Sequence, residues 1–263
     1  MSSATATTIE PTPAPARRNA LLSLARTECT LFLRERARPI AAVGLPMGLL
    51  VVFGEIPFYN QPKQSFGGLT LLEVYIPILV TFALAMLSLN ILAPALAAYR
   101  ERGVLRRLRT TPAGPARVLA AQLIVDAAVE AVTVVLLLAV ARLAFQVPLP
   151  RQAAGFALTA VLAGLALTAL GLLVAAAVPT SRAGNAVGAI LFYLMMFFAG
   201  LFFPINVMPP VLQHMSHATP LGAAVIALTD ASQGQWPPTL YLATLAAYAL
   251  AFGAAAVRLF RWE

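Results

Sequence analysis

The sequence predicts an all-α membrane protein of six transmembrane helices, and three observations carry that prediction. Of its 263 residues, 60% are hydrophobic and only 11% charged, whereas an ordinary soluble domain carries roughly 25% charge. A chain this poor in charge has too few polar groups to cover a water-facing surface, so a soluble enzyme is a poor class for it. Second, the apolar residues gather into blocks of about 18 or more, long enough to cross a ~30 Å hydrocarbon core. Third, the basic residues concentrate in alternate connections between those blocks.

Taken in order, residues 1–18 are rich in Ser, Ala, Thr and Pro and cannot bury a core, so they read as a disordered cytoplasmic tail. Arg17-Arg18 ahead of Leu21-Leu22 superficially resembles an export signal. Arg26 and Glu28 interrupt the apolar run that follows, and no cleaved signal is expected. Residues 19–38 form an amphipathic helix. Asn19, Ser23, Arg26, Thr27, Thr30, Arg34 and Arg38 recur at spacings of three and four, and Leu21, Leu22, Ala25, Cys29, Phe32 and Leu33 fill much of the other side. A helix basic on its polar face lies in the membrane interface; the competing reading is a cytosolic helix packed on a partner.

The six-helix transmembrane domain occupies residues 39–263, with apolar blocks at 39–59, 72–99, 118–145, 153–178, 184–203 and 238–259. The first block is the weakest, because Glu55 and Pro57 crowd its end before a polar loop at 60–70. The second carries Pro77, Asn90 and Pro94. Proline is tolerated in a membrane helix where neighbours re-satisfy the freed carbonyls. Fifteen of the 18 basic residues then fall on one side of the six blocks, leaving only Lys63, Arg142 and Arg151 toward the other. The positive-inside rule places the rich side, with both termini, in the cytoplasm. The net charge of +8 therefore implies anionic headgroups rather than nucleic acid. A single cysteine, Cys29, excludes an internal disulfide.

Two connections hold more than their length requires. The basic segment 99–118 sets Leu105 and Leu108 between arginines and ends in Pro112, Gly114 and Pro115, the pattern of a short helix lying under the membrane and stopping at Pro112. Headgroup anchoring is its bland alternative. The segment 204–237, on the other side, is too apolar for a free loop. Pro210 opens a short helix there, and Pro220 breaks it before a second apolar stretch. Irregular backbone at membrane depth must be buried in protein or line a cavity, so this segment is read as a pair of short re-entrant outer helices.

Together these connections resemble the permease subunit of an ABC-2-type transporter, as found in bacterial drug, antibiotic and polysaccharide exporters. The resemblance rests on Glu101-Arg102-Gly103-Val104-Leu105-Arg106-Arg107-Leu108-Arg109-Thr110-Thr111-Pro112, and on Gly200-Leu201-Phe202-Phe203-Pro204, Met208-Pro209-Pro210 and Thr219-Pro220-Leu221. It spans roughly residues 20–260. It implies that Glu101, Arg102, Gly103, Leu105, Arg106 and Arg107 couple to a separate ATP-binding subunit. It further implies a homodimer or heterodimer with a second permease, and a multi-pass location in the bacterial cell membrane. No G-x-x-x-x-G-K-[ST] phosphate loop is present, and the only lysine, Lys63, precedes Gln64. This chain is thus expected to be no enzyme and to carry no cofactor or metal, with ATP and Mg bound by the partner subunit.

Asp126 and Glu130 lie four apart on the third block and share one helix face. Acids at that depth are costly and face the bundle interior or water. Three roles fit them: contact with a cationic substrate, proton relay in a gradient-driven secondary carrier, or structural polar glue. Asn90 is a further substrate-path candidate, although with Asn185 it also fits an interhelical hydrogen-bond residue. His214 and His217 have a spacing compatible with a metal, but without a third strong ligand they read as exposed polar residues.

Overall fold

The computed structural model describes residues 17–35, 37–62, 68–104 and 114–259, and apart from one isolated bridge every regular element among them is helical. In chain order these are α1 (Arg17–Arg34), α2 (Leu45–Glu55), α3 (Leu71–Ala85), α4 (Ala93–Glu101), α5 (Gly114–Phe145) and α6 (Ala153–Ala177). They continue with α7 (Ser181–Phe198), α8 (Pro210–Ala218), α9 (Pro220–Gln233) and α10 (Thr239–Leu259). A π-helical turn, Ile40–Gly44, leads into α2. A π-helical segment, Met86–Leu92, joins α3 to α4, so that Leu71–Glu101 is one unbroken helix.

Among the described residues, five helices are long and apolar enough to cross a membrane: Leu71–Glu101, Arg117–Phe145, α6, α7 and α10. They coincide with the second to sixth expected spans. The first differs, because its apolar helix covers only Ile40–Glu55. At 1.5 Å per residue that is about 24 Å, short of a ~30 Å core. Ile56 stops it by taking extended backbone (φ −82°, ψ 115°), the conformation favoured by a residue that precedes proline. Two further boundaries move. α5 begins at Gly114 because Pro115 fits a first helical turn, where its missing N–H has no partner to lose. α7 ends at Phe198, so Phe202-Phe203-Pro204 lies beyond the helix after a turn at Gly200. Of the expected tail at 1–18, residues 1–16 fall outside the described residues, whereas Arg17 and Arg18 already belong to α1. The expected short helix ending at Pro112 also lies outside the described residues from 105 onward.

The helix Leu71–Glu101 is the most buried of the five and forms the middle of the bundle. It starts at a capping box: Thr70 Oγ1 accepts from Glu73 N at 3.2 Å, and Thr70 N donates to Glu73 Oε2 at 2.7 Å. Four residues past Pro77, Thr81 Oγ1 lies 3.2 Å from Pro77 O and 2.8 Å from Ile78 O and donates back to the helix. Around this helix pack α2, α5, α6, α7 and α9, while α10 rests mainly on α6 and α9. Small residues allow the closest approaches, as expected where hydrophobic driving force between helices is weak. Gly171 of α6 sits against the carbonyl of Ser88, and Gly188 of α7 against that of Leu89, with no room for a Cβ at either. The π-helical segment is thereby gripped from two sides. At the proline-rich end α9 is drawn into the bundle, with Leu221, Ala224, Leu228 and Ala231 buried against α3, α6 and α10.

Candidate functional site

At the arginine-rich end, α4 stops against the turn between α6 and α7. Arg100 Nη1 donates to the carbonyls of Ala175 (2.6 Å), Ala176 (2.8 Å) and Val178 (3.2 Å), the last of α6 and its cap. The next residue, Glu101, accepts from the Ser181 amide at 2.8 Å, the first N–H of α7. A cation therefore meets the negative end of one helix dipole and an anion meets the positive end of the next. Gly103 follows with φ +64°, a left-handed backbone that a side chain disfavours. It turns the chain at the end of the helix. Glu101, Arg102 and Gly103 are thus brought to one corner, while Leu105, Arg106 and Arg107 lie outside the described residues. Sequence reasoning missed Arg100. The available sign was that α6 ends with no basic residue in its last turn, leaving carbonyls in need of a donor.

The same end is tied to α1. Tyr99 hydroxyl donates to Glu28 Oε2 at 3.1 Å, and Phe32 is buried with Ala42 and Leu87. α1 packs along α5 while leaving Leu33 exposed. Burial pushes the Glu28 carboxyl above the usual carboxylate range, against opposite pulls from the Tyr99 hydroxyl and Arg38.

Mid-helix, Asp126 and Glu130 of α5 are both buried and meet two hydroxyls that the sequence reading did not single out. Ser88 Oγ, on the π-helical segment, donates to Glu130 Oε1 at 3.2 Å. Thr168 Oγ1 of α6 lies 3.4 Å from both Asp126 Oδ2 and Glu130 Oε1. No Arg or Lys pairs with either carboxylate among the described residues; the ion pair found there is Arg38–Glu35. One helix turn from Asp126, the buried Gln122 Oε1 has no hydrogen-bond partner among the described residues. The acceptors on this stripe therefore outnumber the donors aimed at it. Beside it, a groove of about 330 Å³ opens between α5 and α6, with Glu130 and Thr168 in its lining.

Asn90 faces the other way from the π-helical segment. Its buried Nδ2 has no hydrogen-bond partner among the described residues. It lines two grooves: one of about 310 Å³ with Arg38, Pro94 and Ser181, and one of about 210 Å³ with Leu45, Phe82 and Tyr193. Asn185 is exposed on α7. The two grooves share Met86 and Asn90, and so form a discontinuous track from the arginine-rich end toward the middle of α7.

At the opposite end, Phe203, Pro209 and Pro210 are exposed, Pro204 is half-buried and Pro220 is buried. Thr219 caps α9 through the Gly222 amide at 3.1 Å, Ser216 Oγ donates to Phe198 O, and Tyr248 hydroxyl donates to Ala218 O at 2.7 Å. The two short helices are therefore fastened to α7 and α10. Phe202, Phe203, Val207 and Val211 project outward. His214 contacts Pro210 O and His217 contacts the Tyr241 hydroxyl, so the two imidazoles make separate contacts.

A family model described as ABC-2 type transporter matches residues 19–231, from α1 into α9. No curated protein matches the chain.

Proposed function

This chain belongs to the ABC-2 type transporter family, a family of transport permeases, and from that premise we propose that it is the permease subunit of an ATP-driven exporter. ATP and Mg are bound by a separate ABC ATP-binding subunit, which hydrolyses the ATP. Two permeases, identical or different, frame the substrate path, both termini face the bacterial cytoplasm, and a drug-like, antibiotic or lipid or glycan substrate leaves the cell. Asn90 belongs to that path, since its Nδ2, unpartnered among the described residues, lies between two grooves that share it.

One observation carries the ATP-driven reading. The helix that leads into the arginine-rich segment ends in adjacent charges, Arg100 and Glu101, that hold the termini of two other membrane helices. A push on residues 102–113 is thus delivered to α4, α6 and α7 together. This is the connection that a subunit bound on the outside of the bundle needs.

The test is co-purification with an ABC ATP-binding subunit, followed by transport in inside-out vesicles. ATP-dependent uptake that survives collapse of the proton gradient is expected. Uptake that persists without ATP and disappears with the gradient would establish instead a secondary carrier working through Asp126 and Glu130.

A further inference from the structure

The groove between α5 and α6 has features that lipid packing alone does not require. The two helices follow one another in the chain but touch only sparsely, so a lateral opening remains between them. Its walls are Leu84, Val134, Ala160, Val161 and Leu165, and Val161 and Leu165 at its rim are exposed at the molecular surface. Its volume of about 330 Å³ falls at the lower end of the ~300–1,000 Å³ typical of small-molecule sites. A single charged group enters this apolar lining. Glu130 is 7% exposed, and both hydrogen bonds it receives, from Ser88 and Thr168, go to Oε1. Its Oε2 receives none among the described residues. It lies instead against Gly164, where a Cβ would come within 2.6 Å of it, and Gly164 is itself part of the groove wall. An oxygen of a nine-tenths buried carboxylate is therefore left open to the groove.

We propose that this groove binds lipophilic cations, protonated amines carrying a compact apolar body, with Glu130 as the counter-charge. An ammonium at Oε2 supplies the donor and the positive charge that the Asp126–Glu130 stripe lacks, and the apolar body replaces lipid against Val134, Val161 and Leu165. Glu130 is the seventeenth of the 32 residues of α5, so it lies about 24 Å along the helix from either end. A zwitterionic headgroup would have to bring its phosphate to that depth, beside two carboxylates. A lone amine brings only the matching sign. The site extends the transport reading by naming a substrate class and rests on that reading for its role, but binding is independent of how transport is driven.

Binding is therefore measured on the full chain in phosphatidylcholine nanodiscs without ATP. The probe is tritiated N,N-dimethyl-4-phenylbutylamine, cationic at neutral pH, with 4-phenylbutanol as the neutral comparator. Glu130→Gln keeps size and hydrogen bonding, and should weaken amine binding by about tenfold or more, the effect of a hydrogen bond to a charged group, while leaving the alcohol unchanged. Ala160→Leu fills the groove away from the carboxylate and should weaken both. A photoreactive analogue of the amine should label α5 and α6 of the wild-type chain, which keeps the test independent of variant folding. Unchanged amine affinity in Glu130→Gln overturns the proposal, and so does labelling confined to the Asn90 grooves. Displacement of the amine by phosphatidylethanolamine at bilayer concentration would assign the site to lipid and overturn it equally. ATP-independent transport, by contrast, would overturn only the exporter reading.

Discussion

At Gly103 the backbone itself dictates identity. Its φ of +64° makes Gly103→Ala cost about 1–2 kcal/mol, and the expected outcome is a lower melting temperature together with weaker capture of the ATP-binding subunit. Glu101 makes a different prediction. Because its carboxylate is engaged by the Ser181 amide, Glu101→Ala should reduce substrate-stimulated ATP hydrolysis more than it reduces capture. If capture fails in proportion, Glu101 is a direct docking contact. Glu28 adds a pH dependence whose sign follows from burial. Its carboxyl takes up a proton at higher pH in the folded than in the unfolded chain, so folding gains stability as pH falls from neutrality toward the ordinary value of 4.5. Glu28→Gln is neutral throughout. The melting temperature of the wild type relative to this variant should therefore rise as pH is lowered, and a constant difference would refute the assignment. The sequence revealed the acidic partners in these contacts but not their donors. Asp126 and Glu130 stood out because carboxylates are rare in apolar blocks. Ser88 and Thr168 did not, because a hydroxyl can satisfy itself on its own helix, as Thr133 does through the Val129 carbonyl.

At the scale of elements, the π-helical segment Met86–Leu92 is held by two glycines on two helices. Gly188→Val forces a side chain into the Leu89 carbonyl, and overpacking of this kind costs about 1–3 kcal/mol. Thermal unfolding in detergent should show the loss, and Gly253→Val, where nothing lies within 4 Å of a Cβ, should not. The long helices were legible because each is announced by an apolar block, and the two short ones because Pro210 and Pro220 mark their starts; the caps at Thr70 and Thr180 were not. The widening of the second span was not. Apolar blocks do not record ladder register, and Pro94 marks only where a change of register is tolerated. The shortness of α2 was half-legible, since Glu55 and Pro57 crowded its block while the apolar run alone suggested a longer helix.

At the scale of the molecule, the arrangement of charge predicts an orientation that one native side chain can report. Cys29 is free and exposed on α1. A membrane-impermeant maleimide should leave it unmodified in intact cells and modify it in inside-out vesicles. In a Cys29→Ser background, Lys63→Cys should show the reverse. Modification of Cys29 from outside would invert the assigned topology. The bundle also leaves an apolar strip on α7, through Ile190, Tyr193 and Leu194, beside the Asn90 grooves. That face was not legible in the sequence, because all sides of a membrane helix are apolar and only packing tells a lipid-facing side from a protein-facing one.

The widened turns inside the second span also set its phase. A helical wheel drawn from Thr70 at about 100° per residue loses step across Met86–Leu92, where bonds of the i→i+5 kind, such as Ala93 N to Ser88 O, replace the α-helical ones. The half of the helix that starts at Thr70 is indexed to α9, and the half that ends at Glu101 to the α6–α7 turn. Rewinding those turns to regular α-helix would swing Arg100 and Glu101 around the helix axis, out of line with the two helix ends they hold. The direction in which those two charges point is fixed by a segment eight or more residues away.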